Sequence, residues 1–146
     1  MAMSGLMGSD NPRLRDYGIA ILRIFVGVVF LAHGYLKVFK MGMAGTTGFF
    51  TQIGVPMPEV IAWLVALLET VGAIALILGI FTPIVAAGFV VDMLGAIYFA
   101  RRGGGFFAPK GPELELTLLV ASAALVLTGP GALSLRDFFR RRGSTG

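Results

Sequence analysis

Four runs of apolar residues, each long enough to cross a lipid bilayer, constrain this chain more than any other feature of its sequence. Helical spans of about 17 to 25 residues fit a hydrocarbon core of about 30 Å. Of the 146 residues, 56% are hydrophobic and only 14% are charged, and the mean hydropathy is +0.86. A soluble domain of this size could not bury so much apolar surface. The sequence therefore predicts an all-α integral membrane protein, a four-helix bundle with helices over about 17–39, 59–80, 83–100 and 113–128.

Three regions follow from this assignment. Residues 1–16 are polar and are expected to be flexible, residues 17–133 form the transmembrane domain, and residues 134–146 form a basic tail. The first apolar run is too long for the core of a cleavable signal, and no small-residue cleavage site follows it. In the longest connection, Phe49, Phe50 and Ile53 predict a short amphipathic segment at the membrane interface.

The basic residues lie mainly at helix ends and in the tail. Formal net charge is +4, but no soluble segment interleaves basic with aromatic residues, so a nucleic-acid partner is not expected. Four spans place both termini on one side of the membrane, and the terminal segments carry six Lys and Arg against five on the other side. The positive-inside rule thus predicts a multi-pass protein of the cell membrane with both termini in the cytoplasm.

Several ionisable residues fall inside or at the edge of the apolar runs. An ionisable group at mid-bilayer costs about 3 kcal/mol or more, so it normally faces the bundle interior and has a partner. The proposed intramembrane polar cluster contains Arg23, His33, Lys37, Glu69, Asp92, Glu113 and Glu115.

Helical periodicity predicts which face of each helix points inward, because small residues beside the charges let helices approach closely. The predicted inward faces are Arg23, Gly27, Gly34 and Lys37 on the first helix; Ala62, Ala66, Glu69, Gly72, Ala73 and Leu76 on the second; Val85, Gly88, Asp92, Gly95 and Ala96 on the third; and Glu113, Thr117, Val120 and Ala124 on the fourth.

The depths of the charged residues leave two interpretations open. If Phe39 and Glu59 lie at one level, Glu69 is level with about Val29, within reach of Arg23 or His33. On the first interpretation, Glu69 pairs with Arg23, Lys37 pairs with one of the two glutamates of the fourth helix, and these pairs fix the order of the helices. On the second, the cluster lines a pocket for a polar headgroup or a proton path. For Asp92 the partners expected at its depth are His33 and Arg23, so it is either protonated or functional.

Intrinsic redox centres and metal sites are not expected. The chain has no cysteine and one histidine, so disulfides, thiolate metal sites and a haem held by two histidines are excluded within one chain. No glycine-rich phosphate loop follows a strand.

Several segments resemble one family. The sequence is similar to the DoxX pattern at Leu22–Gly27 and His33–Lys37, at Gly54–Pro56 and Leu68–Gly79, and at Gly105–Phe107, Glu113–Glu115 and Thr128–Leu135. The resemblance covers about residues 18–137. It departs from the family at Arg101, where members often carry histidine, and at Arg136, where many carry aspartate.

The resemblance implies a four-helix membrane protein. Some DoxX relatives are similar to a subunit of thiosulfate:quinone oxidoreductase, and one is linked to a membrane oxidoreductase complex with superoxide dismutase and a sulfurtransferase. The function expected is therefore a quinone-interacting subunit of an oxidoreductase complex, with quinone as the possible cofactor. The alternatives are a non-enzymatic scaffold subunit and, third, a small transporter or channel. The expected partners are the bilayer and either other membrane subunits or a second copy of the chain.

Overall fold

The computed structural model describes Gly5, Gly8 and residues 10–144. Within these residues the regular structure is entirely helical, as predicted. The helices are α1 (Pro12–Lys40), α2 (Gly42–Gln52), α3 (Pro58–Leu78), α4 (Thr82–Ala100), α5 (Glu113–Thr128) and α6 (Leu135–Gly143). Two turns are wound more loosely, as π-helix: the last turn of α1, Leu36–Lys40, and the middle turn of α3, Leu68–Gly72.

Four of these helices, α1, α3, α4 and α5, pack together as a bundle. By length and hydropathy α1, α3 and α4 can each cross a membrane. Helix α5 has 16 residues, a length of about 24 Å, and packs along α4 over most of its length. The prediction of a helical membrane protein is confirmed.

Helix α1 begins earlier than predicted. Asn11 caps it by accepting a hydrogen bond from the Arg13 N–H at 3.0 Å, and Pro12 occupies the first helical position. Both are strong helix-start signals. Residues 12–16, which were expected to be flexible, are therefore helical, whereas most of residues 1–9 lie outside the described part of the chain.

The four long helices form a closed ring in the order α1, α3, α4, α5. Their shared core is apolar, and its centre is a stacked pair of rings, Phe30 of α1 and Phe89 of α4, whose centroids lie 3.7 Å apart. The buried side chains of this core are Val26, Phe30, Ala73, Leu76, Ala86, Phe89, Met93, Leu118 and Leu125.

The predicted inward faces are right for α1 and α3 and wrong for α5. Helix α5 buries Glu115, Leu118, Ser122 and Leu125 instead of the predicted line, and Val120 is 59% exposed. On α4 the buried line is Thr82, Ala86, Phe89 and Met93, one residue away from the predicted face. Large side chains of α4, such as Phe89 and Met93, fill the bundle interior, so the small residues of this helix do not indicate its inward face.

Helix α2 is the amphipathic segment predicted in the first connection. It packs against the first turns of α3 and the last turn of α1. Phe50 is buried together with Val55 and Ala62, while Phe49 is partly exposed. As a result α3 extends beyond the end of α1, and α2 fills the space beside it.

Candidate functional site

The predicted cluster contains a buried ion pair, but between partners that the sequence did not pair. Lys37 donates a hydrogen bond from Nζ to Glu69 Oε2 at 2.6 Å. The Glu69 side chain is 3% exposed and that of Lys37 is 19% exposed. The prediction that Glu69 faces the bundle interior is confirmed; the predicted pair between Glu69 and Arg23 or His33 is wrong.

Both members of this ion pair lie in the two π-helical turns of the bundle. Such turns interrupt the regular hydrogen-bond ladder and are frequent at functional sites. The two turns face each other because α1 and α3 touch at Gly34. A Cβ atom added there would lie 2.7 Å from the Glu69 carbonyl oxygen, so only glycine permits this approach.

Asp92 of α4 completes the group. Its carboxyl lies within electrostatic range of Glu69 and Lys37, and not beside Arg23 or His33 as predicted. Its Oδ2 atom is buried without a hydrogen-bond partner among the described residues. We call Lys37, Glu69 and Asp92 the Lys37 cluster.

A cavity of about 260 Å³ opens beside this cluster, between the end of α1 and helix α2. Its walls are mostly apolar and include one lysine and one histidine. They are formed by His33, Leu36, Lys37, Met41, Thr46 and Phe49. Thr46 is fully buried and donates a hydrogen bond to the carbonyl oxygen of Lys37 at 3.0 Å, which joins α2 to the π turn.

His33 lies on the cavity wall with one ring nitrogen already engaged. Its Nδ1 is 2.9 Å from the carbonyl oxygen of Val29. A carbonyl can only accept, so Nδ1 carries the hydrogen, and in the neutral ring Nε2 is left as an acceptor.

Arg23 belongs to a different part of the molecule. It is fully buried, and its guanidinium donates to four backbone carbonyls and, among the described residues, to no carboxylate. The acceptors are Pro130, Ala132 at 3.0 Å, Leu133 at 3.0 Å and Ile77 at 3.3 Å. Arg23 and Lys37 are separated by about 21 Å along α1, and the Phe30–Phe89 stack lies between them. We call the four backbone carbonyls that accept hydrogen bonds from Arg23 the Arg23 carbonyl cage.

The two glutamates of α5 are also outside the cluster. Glu115 pairs with Arg101, with Oε1 2.7 Å from the arginine Nε, and Glu113 accepts from the Ala108 N–H at 2.9 Å. The predicted pair of Lys37 with either glutamate is therefore wrong. Arg101 follows the last residue of α4, and Glu115 lies in the first turn of α5. Glu115 therefore finds its basic partner at the neighbouring helix end.

Sequence reasoning missed Thr46, Met41 and Phe49 as site residues. They lie in the connection that contains the predicted interfacial segment, but nothing in their spacing indicates that this connection folds back over the end of α1. The spacing of Gly34 and Lys37 predicts that both residues lie on the inward face of α1, but not that α1 and α3 touch at Gly34.

The fold and the site define the class: a multi-pass helical membrane protein that encloses an ion pair and a third carboxyl within its bundle. The profile of the DoxX family matches residues 18–102. The chain belongs to the DoxX family.

Curated relatives match this chain over nearly the whole of their own lengths. The CatD protein of Bacillus subtilis (strain 168), whose name assigns it provisionally to the oxidoreductases, is 33% identical over 84% of this chain and 87% of its own. The inner membrane protein YphA of Escherichia coli (strain K12) is 33% identical over 91% of this chain and 98% of its own. An uncharacterised membrane protein of Mycobacterium tuberculosis is 30% identical over 92% and 91%. No solved structure matches the chain significantly.

Proposed function

We propose that this chain is a membrane subunit of an oxidoreductase complex and that the cavity beside the Lys37 cluster binds a quinone headgroup. The observation that carries the proposal is the composition of that cavity: a lysine and a histidine on mostly apolar walls, next to two buried carboxyls. Ionisable groups inside a bundle are costly and usually functional. The oxidoreductase name of one relative supports the reaction class.

The size of the cavity suits a substituted six-membered ring. A dry cavity of about 150 Å³ accepts benzene, and this one measures about 260 Å³. An isoprenoid tail would leave the cavity toward lipid, because Leu36 and Phe49 are both exposed on the outside of the bundle.

The residues have separate roles in this proposal. Lys37 holds three N–H donors and gives one to Glu69, so another can bind a quinone carbonyl. His33 first takes up a proton at Nε2 and then donates it from that atom to the second quinone oxygen. Glu69 and Asp92 pass protons toward the cavity through Lys37.

Reduction of the quinone takes up two electrons and two protons. The protons arrive through the Lys37 cluster and His33, and the electrons come from a redox centre of a partner subunit. Arg23, which the sequence placed in this cluster, takes no part because its guanidinium is held by the carbonyl cage.

The cluster exchanges protons with one side of the membrane only. In the part of the chain that the structure describes, Phe30 and Phe89 fill the bundle between the Lys37 cluster and Arg23, and both are fully buried. This packing disfavours the alternative of a channel through a single chain. If both termini lie in the cytoplasm, as the positive-inside rule predicts, the cavity opens toward the outer side of the cell membrane.

The test is labelling of the purified chain, in lipid nanodiscs, with a photoreactive quinone analogue. We expect His33→Ala and Lys37→Met to weaken labelling at least tenfold and Asp92→Asn to leave binding intact but slow turnover of the native complex. Lys110→Met is the matched control, because Lys110 is an exposed lysine on the same side of the membrane.

The competing function is a scaffold subunit without a ligand. The buried ion pair and the Arg23 carbonyl cage would then serve stability alone. Folded His33→Ala and Lys37→Met variants that label like the native chain, in complexes that keep full quinone-dependent activity, would establish the scaffold function and reject ours.

A further inference from the structure

The last helix of the chain, α6, is amphipathic and basic. Ser134 caps it by accepting a hydrogen bond from the Asp137 N–H at 3.3 Å. At 100° per residue, Leu135, Phe138 and Phe139 fall within an arc of about 100°. The two phenylalanines are 48% and 60% exposed, so the apolar arc packs on little of the protein. Three arginines occupy its last turn. Arg140 and Arg141 lie outside the apolar arc, whereas Arg142 falls within it and holds its guanidinium over the Phe138 ring, 5.0 Å from the centroid.

The segment before α6 is fixed at one end of the bundle. The Arg23 carbonyl cage holds the carbonyls of Pro130, Ala132 and Leu133, and the Ala132 N–H donates to the Asp16 carbonyl at 2.9 Å. Helix α6 therefore starts two residues after an anchored segment, level with the first turns of α1. That level is the end of the membrane-spanning part, where headgroups lie.

Charge and position together indicate the partner. Four arginines and one aspartate give α6 a net charge of +3, and Arg13 and Arg15 at the start of α1 lie on the same side of the membrane. An amphipathic helix with arginines beside aromatic residues binds in the interfacial plane and is attracted to anionic lipids.

We propose that α6 is a docking element for anionic phospholipid headgroups. Phe138 and Phe139 enter the boundary of the acyl chains, and the arginines bind phosphate groups. Each basic residue near an anionic surface raises the affinity about fivefold, so the three arginines of the last turn together shift the docking equilibrium about a hundredfold.

The chain suits a direct test because it contains no cysteine. Gly143→Cys places a thiol at the end of α6, where an added Cβ meets no atom within 4 Å, and an environment-sensitive fluorophore is attached there. The full chain is reconstituted in nanodiscs of phosphatidylcholine, or of phosphatidylcholine mixed with phosphatidylglycerol. We expect a blue-shifted emission and quenching by lipid-attached quenchers only in the anionic discs.

Substitution of Arg140, Arg141 and Arg142 by glutamine should remove the response to phosphatidylglycerol. The matched control removes three basic residues at the other end of the bundle, Lys40, Arg102 and Lys110, and should leave the response unchanged. Equal emission in the two kinds of disc, or a response that survives the loss of the arginines, would overturn the proposal. The arginines would then be left for the acidic surface of another subunit.

Discussion

The contact of α1 with α3 at Gly34 allows a sharp prediction for Gly34→Ala. The added methyl group would lie 2.7 Å from the Glu69 carbonyl oxygen and 2.7 Å from Thr70 Cγ2. Ordinary contacts begin at 3.4 Å, so the helices must separate by about 0.7 Å. The obstacle includes backbone, so a change of side-chain rotamer cannot relieve it.

The expected magnitude combines two opposing effects. Overpacking of a close contact costs about 1–3 kcal/mol, whereas replacing glycine by alanine within a helix gains about 0.5–1 kcal/mol. The net expectation is a loss of about 0–2.5 kcal/mol in the free energy of unfolding, and a loss of about 1–3 kcal/mol relative to an unobstructed glycine-to-alanine change in a helix. The same separation lengthens the Lys37–Glu69 contact, so quinone labelling should fall as well.

The assay is reversible unfolding by sodium dodecyl sulfate in mixed micelles, followed by the fluorescence of Trp63, the one tryptophan of the chain. Gly95→Ala is the matched control, because it lies in α4 and an added Cβ there meets no atom within 4 Å. Gly27→Ala should fall between them, since its nearest neighbour is a movable side-chain atom of Ile77 at 2.6 Å. If Gly34→Ala is as stable as Gly95→Ala, the close approach of α1 and α3 is refuted.

Two further predictions concern the buried charges. A double-mutant cycle with Lys37→Met and Glu69→Gln should give a coupling energy of about 1 kcal/mol, because pair energies in membrane proteins are modest. Adding Asp92→Asn to Lys37→Met should recover part of the lost stability. A coupling energy of zero in the unfolding assay would contradict the ion pair. Arg23→Met should lower the free energy of unfolding by about 2–4 kcal/mol, since it leaves buried carbonyls without donors, and should speed proteolysis within residues 129–135. Arg13→Met, an exposed position, is its control, and equal behaviour of the two variants would show that the carbonyl cage contributes nothing.

The helices and the inward position of Glu69 could be predicted from sequence because the bilayer fixes span length and penalises exposed charge. The partner of Glu69 could not. The levels assumed for the helix ends placed Val29 beside Glu69, whereas Gly34 lies there, an offset of five residues or about 7.5 Å. The packing of α2 against the first turns of α3 produces this offset, and it depends on tertiary contacts of Phe50 and Val55.

Two other features were beyond the reach of sequence patterns. Helices α4 and α5 are apolar on both their outer and their inner faces. Periodicity alone therefore cannot distinguish an exposed residue, such as Val120 of α5 at 59% exposure, from a fully buried one, such as Phe89 of α4. The partners of Arg23 are backbone carbonyls, which every residue carries, so no side-chain pattern could have indicated them.

The Arg23 carbonyl cage has a consequence for the biogenesis of the protein. Three of the four acceptors of Arg23 lie 107 to 110 residues further along the chain. The first helix therefore enters the bilayer with a guanidinium whose acceptors have not yet been synthesised. An arginine in lipid moves toward the headgroups when it has no partner, so α1 reaches its final depth only after α5 has been inserted. The first and the last membrane segments thus complete their insertion together.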